Sequence, residues 1–264
     1  MIDVDLIGIG LRAPGLANWT DAREILSGRR PWVSAALPAS QATGLPATER
    51  RRASRVARLA IDAASEALGQ RDPAGIASVF ASSGGEVEVV HGLFEQLAGD
   101  DRRLSPMAFH NSVHNAAAGY WSIATGSEQP TDSLCAFDDS FGTGLAEALL
   151  RCADDRRPVL LVAYDLPPLF PIAEFRAVTQ PVAVALLLAP PGQMPAIARL
   201  QGLYQAAAPD DQPLTNPQLE TLRQANPAAR ALPLLGALAL GQMAELSFGH
   251  GMQGRLALRV TPCN

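Results

Sequence analysis

One turn in the sequence could hold a reactive group. Residues 134–144 read LCAFDDSFGTG and join a strand-like run to an Ala/Leu-rich helix. Such a turn presents a side chain at a helix N-terminus, where backbone N–H groups and the helix dipole favour negative charge. A cysteine there would be a nucleophile of low pKa, but this chain has Asp138. Asp138, Asp139 or Ser140 could also simply cap the helix. The residues alone favour the cap, because a lone carboxylate is weak evidence of catalysis.

Two histidines have the spacing of metal ligands. His110 and His114 lie four residues apart, as two zinc ligands on one helical face would. Pro106 and the non-periodic stretch around Phe109 predict a loop there, and no carboxylate completes a ligand set. The three cysteines have no CxxC spacing, so they indicate neither a disulfide framework nor a structural metal. We therefore predict no metal site.

The glycines near the N-terminus do not have the pattern of a nucleotide site. Gly8, Gly10 and Gly15 depart from the G-x-G-x-x-G spacing, and no acidic residue ends a second strand at the usual interval. Glycines at the exit of a strand explain them better. The sequence also contains no P-loop and no G-x-S-x-G turn. We predict no cofactor.

Strand-like and helix-like segments alternate along most of the chain, which predicts an α/β fold. Short apolar or β-rich runs predict strands at 4–10, 76–82, 132–137, 158–164, 182–188 and 255–260. Apolar periodicity predicts helices near 21–28, over 54–68 and 115–125, from 140 through 150, and near 234–246. Asp21 and Glu24 form a capping box for the first of these helices, and Gly28 stands at its C-cap. Residues 205–232 are rich in proline and polar side chains and predict a long, poorly ordered connection.

Composition excludes several classes of protein. The chain has 264 residues, 48% of them hydrophobic and 18% charged, which is ordinary for a globular domain and too apolar for a disordered chain. No apolar run reaches the roughly 20 residues of a membrane-spanning helix, and the first residues lack the basic segment of a signal peptide. We therefore predict a cytoplasmic protein without a membrane span. A formal net charge of −5 argues against nucleic acid as the main partner.

Five segments carry a resemblance to a known family. They are VDLIGIGLRAPGLANWTDAREILSGRRP, ASRVARLAIDAASEALGQ, IASVFASSGG, LSPMAFHNSVHNAAAGYWSIATG and SLCAFDDSFGTGLAEALLRCADDRRPVLLVAYD, and the resemblance extends over roughly residues 2–190. Their order resembles the N-terminal half of β-ketoacyl-acyl-carrier-protein (ACP) synthases, which have the thiolase fold. The resemblance implies a layered α/β/α fold with a truncated C-terminal half in a single domain. That domain would comprise a ketosynthase-like part (1–190), a proline-rich connection (191–232), and a remnant helix with a closing hairpin (233–264).

The resemblance also implies what the chain lacks. Aligned on Ser133, the position of the family's nucleophilic cysteine falls on Asp138, and Cys135 lies inside the strand, where it should point into packing. A carboxylate cannot hold a growing acyl chain as a thioester. Neither of the family's two catalytic histidines has a counterpart, and His250 falls where the closing hairpin has a phenylalanine. The implied chain is catalytically silent, with no catalytic residues.

A silent, shortened chain of this kind resembles the chain-length-factor-like partner of an active ketosynthase in aryl polyene systems of the xanthomonadin type. The resemblance implies a full-length β-ketoacyl-ACP synthase as partner, in a heterodimer or a dimer of heterodimers, and contact with acyl carrier protein through that complex. Pairing of edge strands would place residues 134–137 at the interface, and the loop after Pro106 would reach across to the partner's acyl tunnel. The residues implied at the tunnel or interface are Phe109, Ser112, Val113, Ala116, Leu134, Cys135, Phe137, Asp138 and Phe141.

Two other functions stay open at the level of sequence. An independent decarboxylase or hydrolase could use Asp138 with His110 or His114 in general acid–base work, although the sequence offers no complete catalytic set. The third hypothesis is a homodimeric acyl-binding scaffold without a synthase partner. We rank the synthase partner first, because the exposed apolar edges implied by a shortened second half count against a chain that acts alone.

Overall fold

Eight strands form one mixed sheet. The computed structural model describes residues 1–206, 213–251 and 254–263. Its strands are β1 (Ile2–Arg12), β2 (Ala77–Ala81), β3 (Thr131–Leu134), β4 (Val159–Asp165), β5 (Val182–Ala189), β6 (Ala198–Gln205), β7 (Ala244–His250) and β8 (Gly254–Pro262). Their order across the sheet is β3-β2-β4-β5-β1-β6-β8-β7. β2 runs parallel to β3 and β4, and the other neighbouring pairs are antiparallel.

Helices cover both faces of this sheet. The helices of the described residues are α1 (Trp19–Leu26), α2 (Ala47–Arg52), α3 (Arg55–Leu68), α4 (Val87–Ala98), α5 (Pro106–Asn111), α6 (Ala116–Thr125), α7 (Ser140–Asp155), α8 (Pro217–Gln224) and α9 (Leu232–Leu240). Alternate residues of a strand point to opposite faces. In β4, Leu161 belongs to a core cluster with α1, α7, α8 and α9, whereas Leu160 and Val162 belong to a second cluster with α3 and α6. The predicted α/β/α layering is therefore confirmed.

Two glycines of β1 allow α3 to rest directly on the sheet. A Cβ atom at Gly8 would lie 2.0 Å from the carbonyl oxygen of Ala67, and one at Gly10 would lie 1.9 Å from that of Ala63. β1 continues past both glycines to Arg12, so they stand within the strand and not at its exit. These glycines serve helix–strand packing.

Most predicted elements are present, but α1 begins differently from the prediction. Asn18, and not Asp21, is its N-cap: the Asn18 side chain accepts a hydrogen bond of 2.8 Å from the backbone N–H of Asp21. Asp21 therefore stands at the third helical position, where a carboxylate favours the positive end of the helix dipole. Gly28 follows the helix with a φ of 77°, the left-handed conformation that ends many helices.

The C-terminal third contains more regular structure than predicted. The prediction of a poorly ordered connection over 205–232 is wrong for its described residues, because α8 and a 3₁₀ turn (Pro227–Ala231) lie there and pack into the core. Residues 207–212 lie outside the described part of the chain. The predicted helix near 234–246 is too long, since α9 ends at Leu240 and β7 begins four residues later.

The closing hairpin predicted near the C-terminus is present as β7 and β8, which pair antiparallel and extend the same sheet. Across the described residues, no helix combines the length and apolar character needed to cross a bilayer.

Candidate functional site

The turn between β3 and α7 is called the elbow here (residues 135–139). It contains a short 3₁₀ turn, and the side chain of Ser140 holds it in place. Phe137 has a φ of 55°, in the left-handed region that costs a residue with a Cβ about 1 kcal/mol or more. Ser140 holds the turn: its hydroxyl accepts from the backbone N–H of Ala136 at 3.1 Å and donates to the carbonyl of Phe137 at 2.7 Å. The Ser140 hydroxyl thus holds the strained Phe137 in place through the Phe137 carbonyl.

Asp138 does not cap α7. Its Oδ1 accepts a hydrogen bond of 2.9 Å from Nη1 of Arg176, with which it forms an ion pair. Asp139 stands at the N-cap, yet within the described chain its side chain makes no capping hydrogen bond to the helix. The capping interpretation is therefore wrong for both carboxylates: Asp138 pairs with Arg176, and the Asp139 side chain, although at the N-cap position, makes no capping hydrogen bond.

Arg176 contacts two residues of the elbow and links them to Ser83, which follows β2. Its guanidinium carbon lies 3.7 Å from the centroid of the Phe137 ring, in cation–π geometry. Nη1 binds Asp138, while Nη2 donates to the hydroxyl of Ser83 at 3.1 Å. Only 18% of the Arg176 side chain is exposed, so the guanidinium covers the elbow from the side of the β4–β5 connection. Nothing in the local sequence pattern links Arg176 to the turn, so its contact with Asp138 was not predictable.

The buried carboxylate of Asp165 binds Ser83, the residue that Arg176 contacts. Asp165, at the end of β4, accepts from the hydroxyls of Ser82 and Ser83 and from the backbone N–H groups of Ser83 and Gly84, at 2.9–3.2 Å. Burial raises the pKa of Asp165, and these hydrogen bonds oppose the rise. Through Ser83, Asp165 is connected to Arg176 and so to the elbow.

A second buried acid, Glu86, stands at the start of α4. The Ser54 hydroxyl donates to its Oε1 at 2.8 Å, while Oε2 has no hydrogen-bond partner among the described residues. Burial raises the pKa of Glu86 to about 7. The sequence does not indicate that Glu86 is buried, because a glutamate at the start of a helix is usually exposed.

Cys135 and Phe141, both predicted for the tunnel or interface, differ in their exposure to solvent. The prediction that Cys135 lies inside the strand is wrong: β3 ends at Leu134, and Cys135 is exposed, with its thiol 3.5 Å from the Ser83 carbonyl oxygen. Phe141 is fully buried and packs edge-to-face on Phe248, with ring centroids 5.3 Å apart. The structure places Phe141 in the core, not at a surface.

Three of the predicted tunnel residues line one groove. Phe109, Val113 and Ala116 border a groove of about 560 Å³ between α5 and α6, together with Met107 and Ile123. The predicted loop around Phe109 is wrong: α5 is a helix with Ser105 at its N-cap and Pro106 at its first position. Ser112 is not a lining residue, and its hydroxyl donates to the Phe109 carbonyl at 2.8 Å.

The two histidines with zinc-like spacing face different surroundings. His114 donates from Nε2 to the Ser82 carbonyl oxygen at 2.9 Å, whereas His110 borders the groove. No group of three or more possible metal ligands was found in the part of the chain that the structure describes. Neither histidine contacts Asp138, whose recorded partner is Arg176, so the geometry does not assemble the acid–base set that an independent enzyme would need.

Comparison with known proteins decides the family. Residues 25–236 match the family model of the β-ketoacyl synthase N-terminal domain, which is well over half of the chain. The chain belongs to the β-ketoacyl synthase family. The segment matched by this β-ketoacyl synthase domain includes the elbow, the groove and Arg176. No curated protein matched the sequence.

Solved β-ketoacyl synthase-like structures share the whole fold. The complex of the ketosynthase ApeO with its chain length factor ApeC from Xenorhabdus doucetiae contains a chain that is 24% identical, with a TM-score of 0.74, covering 98% of this chain and 100% of that one. The ishigamide ketosynthase/chain length factor gives 13% identity, a TM-score of 0.75 and full coverage of both chains. The type II polyketide complex AntDE:AntF, an acyl-carrier protein with its ketosynthase bound to the hexaketide, gives 10% identity, a TM-score of 0.74 and 99% coverage of both. At these identities the likeness is one of fold.

Proposed function

We propose that this chain is a non-catalytic, chain-length-factor-like subunit. It pairs with a full-length β-ketoacyl-ACP synthase in aryl polyene, polyketide or fatty-acid-like biosynthesis and completes the acyl tunnel of that partner. The observation that carries the proposal is the elbow, where the family needs a free thiol and this chain has Asp138 locked to Arg176 at 2.9 Å.

The chemistry of the elbow supports a silent subunit. Asp138 has no sulfur to form a thioester, and its charge is already neutralised by Arg176. A nucleophile also needs a base within hydrogen-bond reach. Among the described residues, the polar contact of the nearby Cys135 thiol is the Ser83 carbonyl oxygen, which cannot act as that base. The elbow therefore lacks both partners of an acyl-transfer pair.

The free edge of the sheet supports pairing with another thiolase-fold chain. β3 is an edge strand that pairs only with β2 among the described strands, and it leads directly into the elbow. An edge strand presents unpaired N–H and C=O groups that favour pairing with a further strand. A partner strand added to β3 would bring residues 134–137 to the interface.

Large aromatic side chains are exposed on several segments of this chain. Phe109 is 64% exposed at the groove, Phe137 is 58% exposed at the elbow, and Phe175, next to Arg176, is 82% exposed. Aromatic rings exposed to water do not stabilise a monomer. Burying them against a partner stabilises the complex by roughly 25 cal/mol per Å² of apolar surface. In the proposed complex, Phe109, Val113 and Ala116 face the partner and set the depth of its tunnel, and acyl carrier protein reaches this chain only through the complex.

The fold comparison is consistent with this assignment, since two of the matched structures are complexes of a ketosynthase with a chain length factor and a third holds an acyl-carrier protein with its ketosynthase.

Co-expression tests the proposal. The full chain is produced with the full-length β-ketoacyl-ACP synthase of the same genome, with an affinity tag on the synthase. We expect the two chains to co-purify and to elute together on size exclusion, and Phe109→Asp to reduce recovery strongly. Met243→Asp is the matched control, because Met243 is 69% exposed and does not line the groove. Two folded chains that elute separately would contradict the proposal.

A further inference from the structure

A second cavity adjoins the elbow and shares no lining residue with the apolar groove. It has a volume of about 280 Å³ and lies between the start of α7, the β7–β8 hairpin and the segment from α8 to the following 3₁₀ turn. Its walls are polar, with Phe248 as the one large apolar side chain among its described lining residues. The lining residues are Asp138, Asp139, Gly142, Arg223, Arg230, Phe248, Gly249 and Arg255.

Most charges in this cavity have partners within the chain. Arg223 makes two hydrogen bonds to Glu220, at 2.8 and 2.7 Å, and these lower the pKa of Glu220 to about 2. Arg255 donates to the Ser247 hydroxyl at 2.6 Å. Asp138 is paired with Arg176, and Asp139 also has a partner. These pairs hold the walls of the cavity in place.

Arg230 is the exception. It lies on the 3₁₀ turn Pro227–Ala231, is partly buried, and makes no hydrogen bond or ion pair with the described residues. The other charged lining residues, Asp138, Asp139, Arg223 and Arg255, all have partners.

We propose that this cavity binds a small oxyanion, a carboxylate or a phosphate group, through the guanidinium of Arg230. A guanidinium offers a planar fork of donors that matches either anion, and a partly buried cation without a counter-ion attracts one more strongly than an exposed one does. The volume suits an anionic group of a few heavy atoms, and the polar walls do not suit an acyl chain. All lining residues belong to this chain, so the site does not depend on the proposed pairing.

Calorimetric titration tests the site with two probes, inorganic phosphate and acetate, at constant ionic strength set by sodium chloride. The protein is the full chain, alone or in the co-purified complex. We expect at least one probe to bind to the wild type and to Arg51→Gln, a control at an exposed arginine of α2. Arg230→Gln should weaken that binding at least tenfold. Tighter binding of phosphate points to a phosphate ester as the natural ligand, and tighter binding of acetate to a carboxylate.

A second measurement needs no variant. Phenylglyoxal modifies accessible guanidinium groups, and peptide mass spectrometry reports each site. We expect the anion that binds to protect Arg230 and to leave Arg51 unprotected. Failure of both probes to bind, unchanged affinity in Arg230→Gln, or equal labelling of Arg230 with and without the anion would each overturn the site. Because the readouts involve no condensing partner, this failure is distinct from failure of the proposed function.

Discussion

At the scale of single residues, the elbow holds its carboxylate in an ion pair. Asp138 occupies a turn that could present a nucleophile, and Arg176 holds it with an ion pair while stacking on Phe137. An ion pair with one half-exposed partner contributes little to stability, about 1 kcal/mol or less. Its effect here is to fill the space above the elbow with a bound guanidinium.

Asp138→Ala should leave the condensing activity of the proposed synthase complex largely intact, because the proposed function assigns the bond-forming residues to the partner. Product formation by the purified complex, compared with wild type at equal complex concentration, measures this. Loss of activity in a complex that still assembles would assign Asp138 a chemical role.

Glu86 should make stability depend on pH. Its pKa rises from 4.5 to about 7 on folding, so the folded state binds the proton more tightly than the unfolded state does. The free energy of unfolding should therefore fall as pH rises from about 4.5 to about 7, by roughly 3 kcal/mol at about 1.4 kcal/mol per pKa unit. Urea unfolding at pH 5 and pH 8 measures this difference. Glu86→Gln should reduce it, and the exposed control Glu128→Gln should not.

The sequence located Asp138 at a turn but could not show its partner. Arg176 follows it by 38 residues, in a segment without periodicity, and the pair forms only when the β4–β5 connection folds over the elbow. The place of Cys135 was wrongly predicted for a related reason. β3 ends at Leu134 because that residue forms the last pair with its neighbour β2, and the length of a neighbouring strand is not visible in the local sequence.

At the scale of elements, α7, the helix that follows the elbow, is held in position by close backbone contacts. A Cβ at Gly142 of α7 would lie 2.0 Å from the carbonyl oxygen of Gly249 in β7. Because the obstacle is backbone and not a mobile side chain, Gly142→Ala must push the helix away from the hairpin.

We expect Gly142→Ala to destabilise the fold by about 1–3 kcal/mol, the usual cost of overpacking. Gly236→Ala is the control, since a Cβ there meets nothing within 4 Å, and alanine in a helix is more favourable than glycine by about 1 kcal/mol. Thermal unfolding of the two variants should therefore shift in opposite directions. Equal midpoints would show that α7 and β7 are not in tight contact.

The groove between α5 and α6 should control product length. Ala116 lines it and is largely buried, so Ala116→Phe should fill part of the proposed tunnel and shorten the products of the complex. Mass spectrometry of the released acyl chains measures this. Ala153→Phe, at an exposed position of α7, should leave chain length unchanged. Unchanged products in both variants would remove Ala116 from the tunnel wall.

Long apolar runs were predictable as elements, and short capped helices were missed although their signals were present. β4 and β5 are buried along their whole length, which makes them continuous apolar runs in the sequence. α5 and α8 both begin with a polar cap followed by proline, at Ser105-Pro106 and Asn216-Pro217, a known helix start. β6 was missed because only one of its faces is buried and polar residues alternate along it.

At the scale of the whole molecule, all eight strands of the described residues, from β1 to β8, belong to one sheet. The hairpin β7–β8 extends the sheet at one end, while β3 and the elbow form the opposite edge. The exposed Phe137 belongs to the elbow, which directly follows the free edge strand β3, and such an edge is expected of a subunit completed by a partner.

Acyl transfer within the complex tests this account most directly. The co-purified complex is incubated with acyl-loaded carrier protein, and intact-mass spectrometry weighs both subunits, with Cys135→Ser as a parallel sample because that thiol is exposed. We expect the synthase to gain the acyl mass and this chain to keep its own mass in both samples. An acyl adduct on this chain, whether it persists or disappears in Cys135→Ser, would contradict a catalytically silent subunit.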